Sequence, residues 1–198
     1  SSLDHRRINE VAQRVASLAD TTQVIVFTHD IFFASTLLTL MEATKRCSYF
    51  QITDEEGKGK VTRATGPRWD SLNNIKKNIN ETIQAAKSQD GDARAALVRT
   101  GYGWVRAWCE VFTETELLQG VTQRYQPNVR MTNLPKIKSE ALPAAIDTIN
   151  RIFEEACRYI DGHSQPLPSL GVSPTLSGLE AHWAELTEAR TAYNAATP

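Results

Sequence analysis

His29 and Asp30 follow directly on Gln23-Val-Ile-Val-Phe-Thr28, a nearly uniform apolar, β-branched run. Such a run has the character of a strand buried on both faces of a parallel sheet. In open α/β sheets, ligands bind outside the carboxyl ends of strands. A histidine at that place can donate a hydrogen bond to a phosphate; the plainer alternative is that it caps the following helix. A second polar group lies further along. Arg106 and Glu110 are four residues apart, so they share one face of a helix, among Trp104, Trp108 and Phe112. His163 stands just past a helix end, in Gly162-His163-Ser164-Gln165. The plainer readings here are an ordinary helix salt bridge and a histidine favoured by a helix dipole.

These residues need elements to hold them. Asp4 suits the N-cap of a helix with Ile8, Val11, Val15 and Leu18 at helical spacing. Asp20-Thr-Thr22 breaks it, the Gln23–Thr28 strand follows, and Ile31 to Ala43 reads as the next helix. Cys47–Ile52 and Lys60–Ala64 are strand-like and flank a run of turn formers, which predicts a β-hairpin. The acidic trio Asp54, Glu55 and Glu56 reads as its solvated tip rather than a metal site. Thr65-Gly-Pro67 punctuates the chain, and beyond it the pattern turns helical.

A helix starting at Trp69 or Asp70 carries Leu72, Ile75, Ile79 and Ile83. A longer one runs from about Asp92 to Gln119, with Gly120 at its C-cap. Gln123 to Met131 is basic and extended. Ser139-Glu140 opens a third helix, striped by Ile146, Ile149, Ile152, Phe153 and Ala156 and ending near Gly162. The last runs from about Thr175 to Tyr193 with Leu179, Trp183 and Leu186 on one side. The expected fold is therefore an α/β part (helix, strand, helix and β-hairpin, residues 1–66), followed by a mainly α-helical domain (residues 67–198).

Composition sets limits. The net charge of -1 leaves no global basic field to recruit nucleic acid, so any such contact needs a local patch. Arg124, Arg130, Lys136 and Lys138, interleaved with Tyr125 and Asn128, form one that can hold a phosphate backbone; a solvated basic loop is the plainer reading. The three cysteines lie far apart without zinc or redox spacing, which predicts a reducing, cytoplasmic setting. No apolar run approaches the roughly 20 residues of a membrane helix.

Ser1-Ser2-Leu3-Asp4, a helix, and then Gln23 to Asp30 resemble the stretch after Walker B in ABC-type ATPases of the SMC/RecF branch. That resemblance covers about the first 45 residues. It implies that residues 1–66 are the C-terminal part of the ATPase domain. Ser2 and Asp4 then belong to its D-loop, which crosses a head-to-head homodimer, and His29 is the switch histidine on the γ-phosphate. ATP and Mg²⁺ are the implied cofactors of the intact protein. The sequence holds no G-x-x-x-x-G-K-[ST] loop, so this chain alone is expected to bind neither. It does not begin with Met and reads as a piece of a longer chain, with the N-terminal half of the ATPase as its missing partner.

A second resemblance lies downstream. Tyr102-Gly-Trp-Val-Arg106-Ala-Trp-Cys-Glu110, Leu117 to Tyr125, and Arg158-Tyr-Ile-Asp-Gly-His163 resemble the C-terminal region of bacterial SMC-like ATPases related to the PrrC/RloC anticodon nucleases of phage defence. It implies a HEPN-like helical domain with Arg106, Glu110 and His163 as the catalytic set. An acid/base pair would activate a ribose 2′-hydroxyl and protonate the leaving 5′-oxygen, and the arginine would stabilise charge on the phosphate. No metal is implied. Two other functions stay open: a helical domain that binds a separate nuclease or toxin subunit, and a DNA-repair-type ATPase with a structural appendage.

Overall fold

The computed structural model describes residues 5–41, 44, 46–53, 58–64, 71–124, 129–159 and 173–198. The chain is mostly helical, with a small two-stranded antiparallel sheet. It divides into two compact units. One is Ser1–Trp69 with Thr122–Val129; the other is Asp70–Val121 with Arg130–Pro198.

In the first unit, α1 (His5–Leu18) packs on α2 (Ile31–Met41). Their shared core is small: Ile8, Ala12 and Phe33 are its buried members. Asp30 caps α2, its Oδ1 accepting from the amides of Phe32 at 2.9 Å and Phe33 at 3.1 Å. Strands β1 (Tyr49–Thr53) and β2 (Lys60–Ala64) form a hairpin in the register Phe50↔Arg63 and Ile52↔Val61. Opposed residues share a face, so Phe50, Ile52, Val61 and Arg63 lie on one side, and all four are exposed.

The Gln23–Thr28 run departs from expectation. It is in no strand, and Ile25 is 73% and Phe27 83% exposed. A central parallel strand is defined by ladder bonds to neighbours on both sides. None of the described residues supplies those neighbours, so the segment keeps its apolar character without its sheet.

The second unit contains α3 (Leu72–Lys87), α4 (Gly91–Phe112), α5 (Leu142–Arg158) and α6 (Leu176–Ala195). α4 is the central element and contacts α3, α5 and α6. Ser71 caps α3 through Asn74 N, and Thr175 caps α6 through Gly178 N. Trp108, Tyr102, Phe112, Ile79, Ile152 and Leu179 are fully enclosed in one continuous core. Gly101 makes the α4–α6 crossing close, since a Cβ there would meet Leu179 Cδ2 at 2.4 Å.

The helix expected to reach Gln119 changes character early. After Phe112 it widens into a π-helical turn, Thr113–Leu117. Gln119 and Gly120 then both take positive φ, 51° and 65°. Arg130 N donates to Val121 O at 2.8 Å. A 3₁₀ turn, Met131–Lys136, leads to α5. α5 begins at Leu142, three residues later than Ser139, with Pro143 in its first turn.

Candidate functional site

α4 presents Arg106 and Glu110 on one face because four residues are close to one helical turn. The Arg106 Nε lies 3.2 Å from Glu110 Oε1, and the two side chains are 30% and 27% exposed. α4 and α5 run antiparallel here: Tyr102 meets Tyr159 with rings 4.7 Å apart, and Arg106 meets Phe153. The Arg106 guanidinium carbon stands 5.9 Å from the centroid of the Phe153 ring, within cation–π range. Cys157, one turn beyond Phe153, feels the same charges. Burial pushes its thiol up, Arg106 opposes this, and Glu110 and Glu154 add to it. Cys109 is pushed up to about 12 by burial, with Glu110 adding. Both thiols are therefore poor nucleophiles at neutral pH. What this flank offers is a paired cation and carboxylate, half-buried and reachable, suited to an anion that also needs a proton moved.

A second polar cluster occupies the other flank of α5. The Tyr102 hydroxyl lies 3.0 Å from His182 Nδ1, and His182 Nε2 lies 3.5 Å from Glu155 Oε2. Tyr159 donates to Glu155 Oε1 at 3.0 Å. A carboxylate only accepts, so the pattern is satisfied when Tyr102 donates to Nδ1 and Nε2–H faces Glu155. Burial holds the Tyr102 phenol well above its ordinary range, with Tyr159 and Glu155 adding to it. Phe153 and Glu155 are two residues apart on α5, about 200° around the helix, so they face opposite flanks. His182 therefore does not join Arg106 and Glu110. The partners of this network lie up to 80 residues apart, which local spacing does not reveal.

His163, Ser2 and Asp4 fall outside the described residues, as do the acidic trio at Asp54–Glu56, Tyr125 and Asn128. His29 is exposed, directly before the capping Asp30, so the cap is the aspartate and not the histidine. Of the basic stretch, Arg124 and Lys136 are exposed and Arg130 is half-buried. Lys136 Nζ donates to Asn133 Oδ1 at 2.9 Å. Lys138 serves the fold instead. Its Nζ donates to the carbonyls of Tyr193 at 3.2 Å and Asn194 at 2.7 Å, and lies 5.5 Å from the Tyr193 ring centroid. A lysine closing the C-terminal turn of α6 in this way satisfies carbonyls that the helix leaves without amides.

Arg158 is exposed in the last turn of α5 and precedes His163 with four residues between them in the sequence. Among the described residues, no group of three or more His, Cys, Asp or Glu is arranged to hold a metal, and no helix is long and apolar enough to cross a membrane. No family model, curated protein or solved structure matches the chain.

Proposed function

We propose that this chain is the C-terminal portion of an ABC-type ATPase of bacterial anti-phage defence, and that its helical unit cleaves RNA under ATP control. The observation that carries the nuclease reading is the Arg106–Glu110 pair, joined at 3.2 Å and still part-exposed on a helix that sends Tyr102, Val105, Trp108 and Cys109 into the core. In this reading Arg106 holds the scissile phosphate, and Glu110 and His163 exchange protons with the 2′-hydroxyl and the leaving 5′-oxygen. Arg158 adds a second cation close to His163 in sequence. The ATPase reading draws on the first unit. Ile25, Val26 and Phe27, with Phe50, Ile52 and Val61, are exposed as they would be in a lobe whose sheet is completed by other strands. ATP and Mg²⁺ then belong to the intact, dimeric protein, with Ser2, Asp4 and His29 at its nucleotide interface.

The test is toxicity and RNA cleavage by the intact protein in triggered cells. Arg106→Gln, Glu110→Gln and His163→Ala should each remove both without lowering the melting temperature. Full toxicity in all three would end the nuclease reading. One observation favours a second reading, in which the helical unit binds a separate nuclease subunit. Met131, at 63% exposed, and Leu134, at 42%, stand open on the 3₁₀ turn before α5. That reading predicts a co-purifying partner lost on Met131→Asp.

A further inference from the structure

We infer that Phe153 is a positioning residue for Arg106, fixing the guanidinium where it meets a phosphodiester anion. The inference rests on the nuclease reading of that site. Arginine side chains carry several rotatable bonds, so a part-exposed one needs more than a single tether to hold a direction. Glu110 supplies the tether from α4, at 3.2 Å. Phe153 supplies the second from α5, its ring face 5.9 Å from the guanidinium carbon. A ring face attracts a cation through its quadrupole, and it does so without adding a charge that would repel phosphate. A second acidic residue in its place would hold the arginine equally well and weaken its grip on an anion. The arginine is thus set by the packing of two helices.

The experiment measures binding of unfractionated tRNA and of a fluorescein-labelled single-stranded RNA to the 198-residue chain, with thermal melts on every variant. Phe153→Leu keeps an apolar side chain of similar size and removes the ring. It should weaken binding about threefold to fivefold at an unchanged melting temperature, while Phe153→Trp restores it. Arg106→Gln should weaken binding more than Phe153→Leu. In the double variant, Phe153→Leu should add nothing to Arg106→Gln, because a positioning residue acts only through the group it positions. If Arg106→Gln weakens binding and Phe153→Leu does not, the positioning role is wrong and the nuclease reading stands. If Phe153→Leu weakens binding equally with Gln at 106, Phe153 acts on its own and the inference again fails. If Arg106→Gln leaves binding intact, both fall.

Discussion

Glu116 ends up with three donors around one carboxylate. Arg190 reaches it through Nε at 2.8 Å and Nη2 at 2.5 Å, and Asn194 Nδ2 donates at 2.8 Å. Burial alone would raise its carboxyl. The hydrogen bonds from Arg190 and Asn194, with the charges of Arg190 and Lys138, outweigh burial and hold it below the usual carboxylate range. A carboxyl with a depressed folded-state value stabilises the fold fully above its unfolded value. That stability is lost as pH falls through the folded one. Glu116→Gln should therefore cost roughly 1–3 kcal/mol in urea unfolding at pH 7. The difference from wild type should shrink as pH falls below about 4; a difference that holds constant to pH 3 contradicts the assignment. Tyr102→Phe should cost about 1 kcal/mol by removing the hydroxyl that engages His182 Nδ1. A cost no larger than that of an exposed substitution would show the contact is idle. Neither pair was visible as a pair in the sequence, since their partners come from α6, 74 and 80 residues away. Arg106 and Glu110 were visible, because a helix brings residues four apart together whatever else the chain does.

At the scale of elements, the helical stripes carried most of the information. Leu72, Ile75, Ile79 and Ile83 are all buried on α3, and Leu179, Trp183 and Leu186 on α6. Burying a stripe needs only some apolar surface opposite, so a period of three to four residues predicts it locally. The Gln23–Thr28 segment failed for the converse reason, since strand structure is a property of neighbours. The π turn at Thr113–Leu117 also escaped, and it lies where Glu116 is drawn to Arg190 and where Tyr193 Oη donates to Leu117 O at 3.0 Å. The start of α6 at Thr175 was readable from the sequence, whereas α3 is capped by Ser71 and begins at Leu72, later than the expected Trp69 or Asp70. Ser71→Ala and Thr175→Ala should each cost about 1 kcal/mol and no more, as seen by chemical denaturation. Gly101→Ala tests the α4–α6 crossing. Alanine favours a helix over glycine by up to about 1 kcal/mol, but its Cβ would enter the space of fully buried Leu179. Overpacking of roughly 1–3 kcal/mol should win. A stabilised Gly101→Ala protein would mean that α6 shifts freely away from α4.

Across the whole molecule, the two units differ in how much they enclose. The second has a continuous core spanning four helices, whereas the described part of the first has a small cluster of Ile8, Ala12 and Phe33 between α1 and α2, with Met41 also buried on α2. Its α2 is apolar on nearly every side, with Phe32 and Leu40 each 40% exposed, a composition suited to a helix covered all round. Hydrogen exchange should therefore find the amides of α1 and α2 opening far more readily than those of α4, because opening free energy follows buried apolar contact. The same contrast gives a sharper experiment on Ile25 and Phe27. Both are largely exposed, so changing both to Asp should leave the stability of this chain within about 0.5 kcal/mol per site. If the segment becomes the central strand of an ATPase sheet, the same two changes in the intact protein bury two carboxylates between sheet faces. That costs several kcal/mol for each ion without a partner, enough to abolish folding of the ATPase domain. A loss of stability in the isolated chain would show that the segment is already packed. Normal ATP hydrolysis by the intact double variant would show that it is never a central strand.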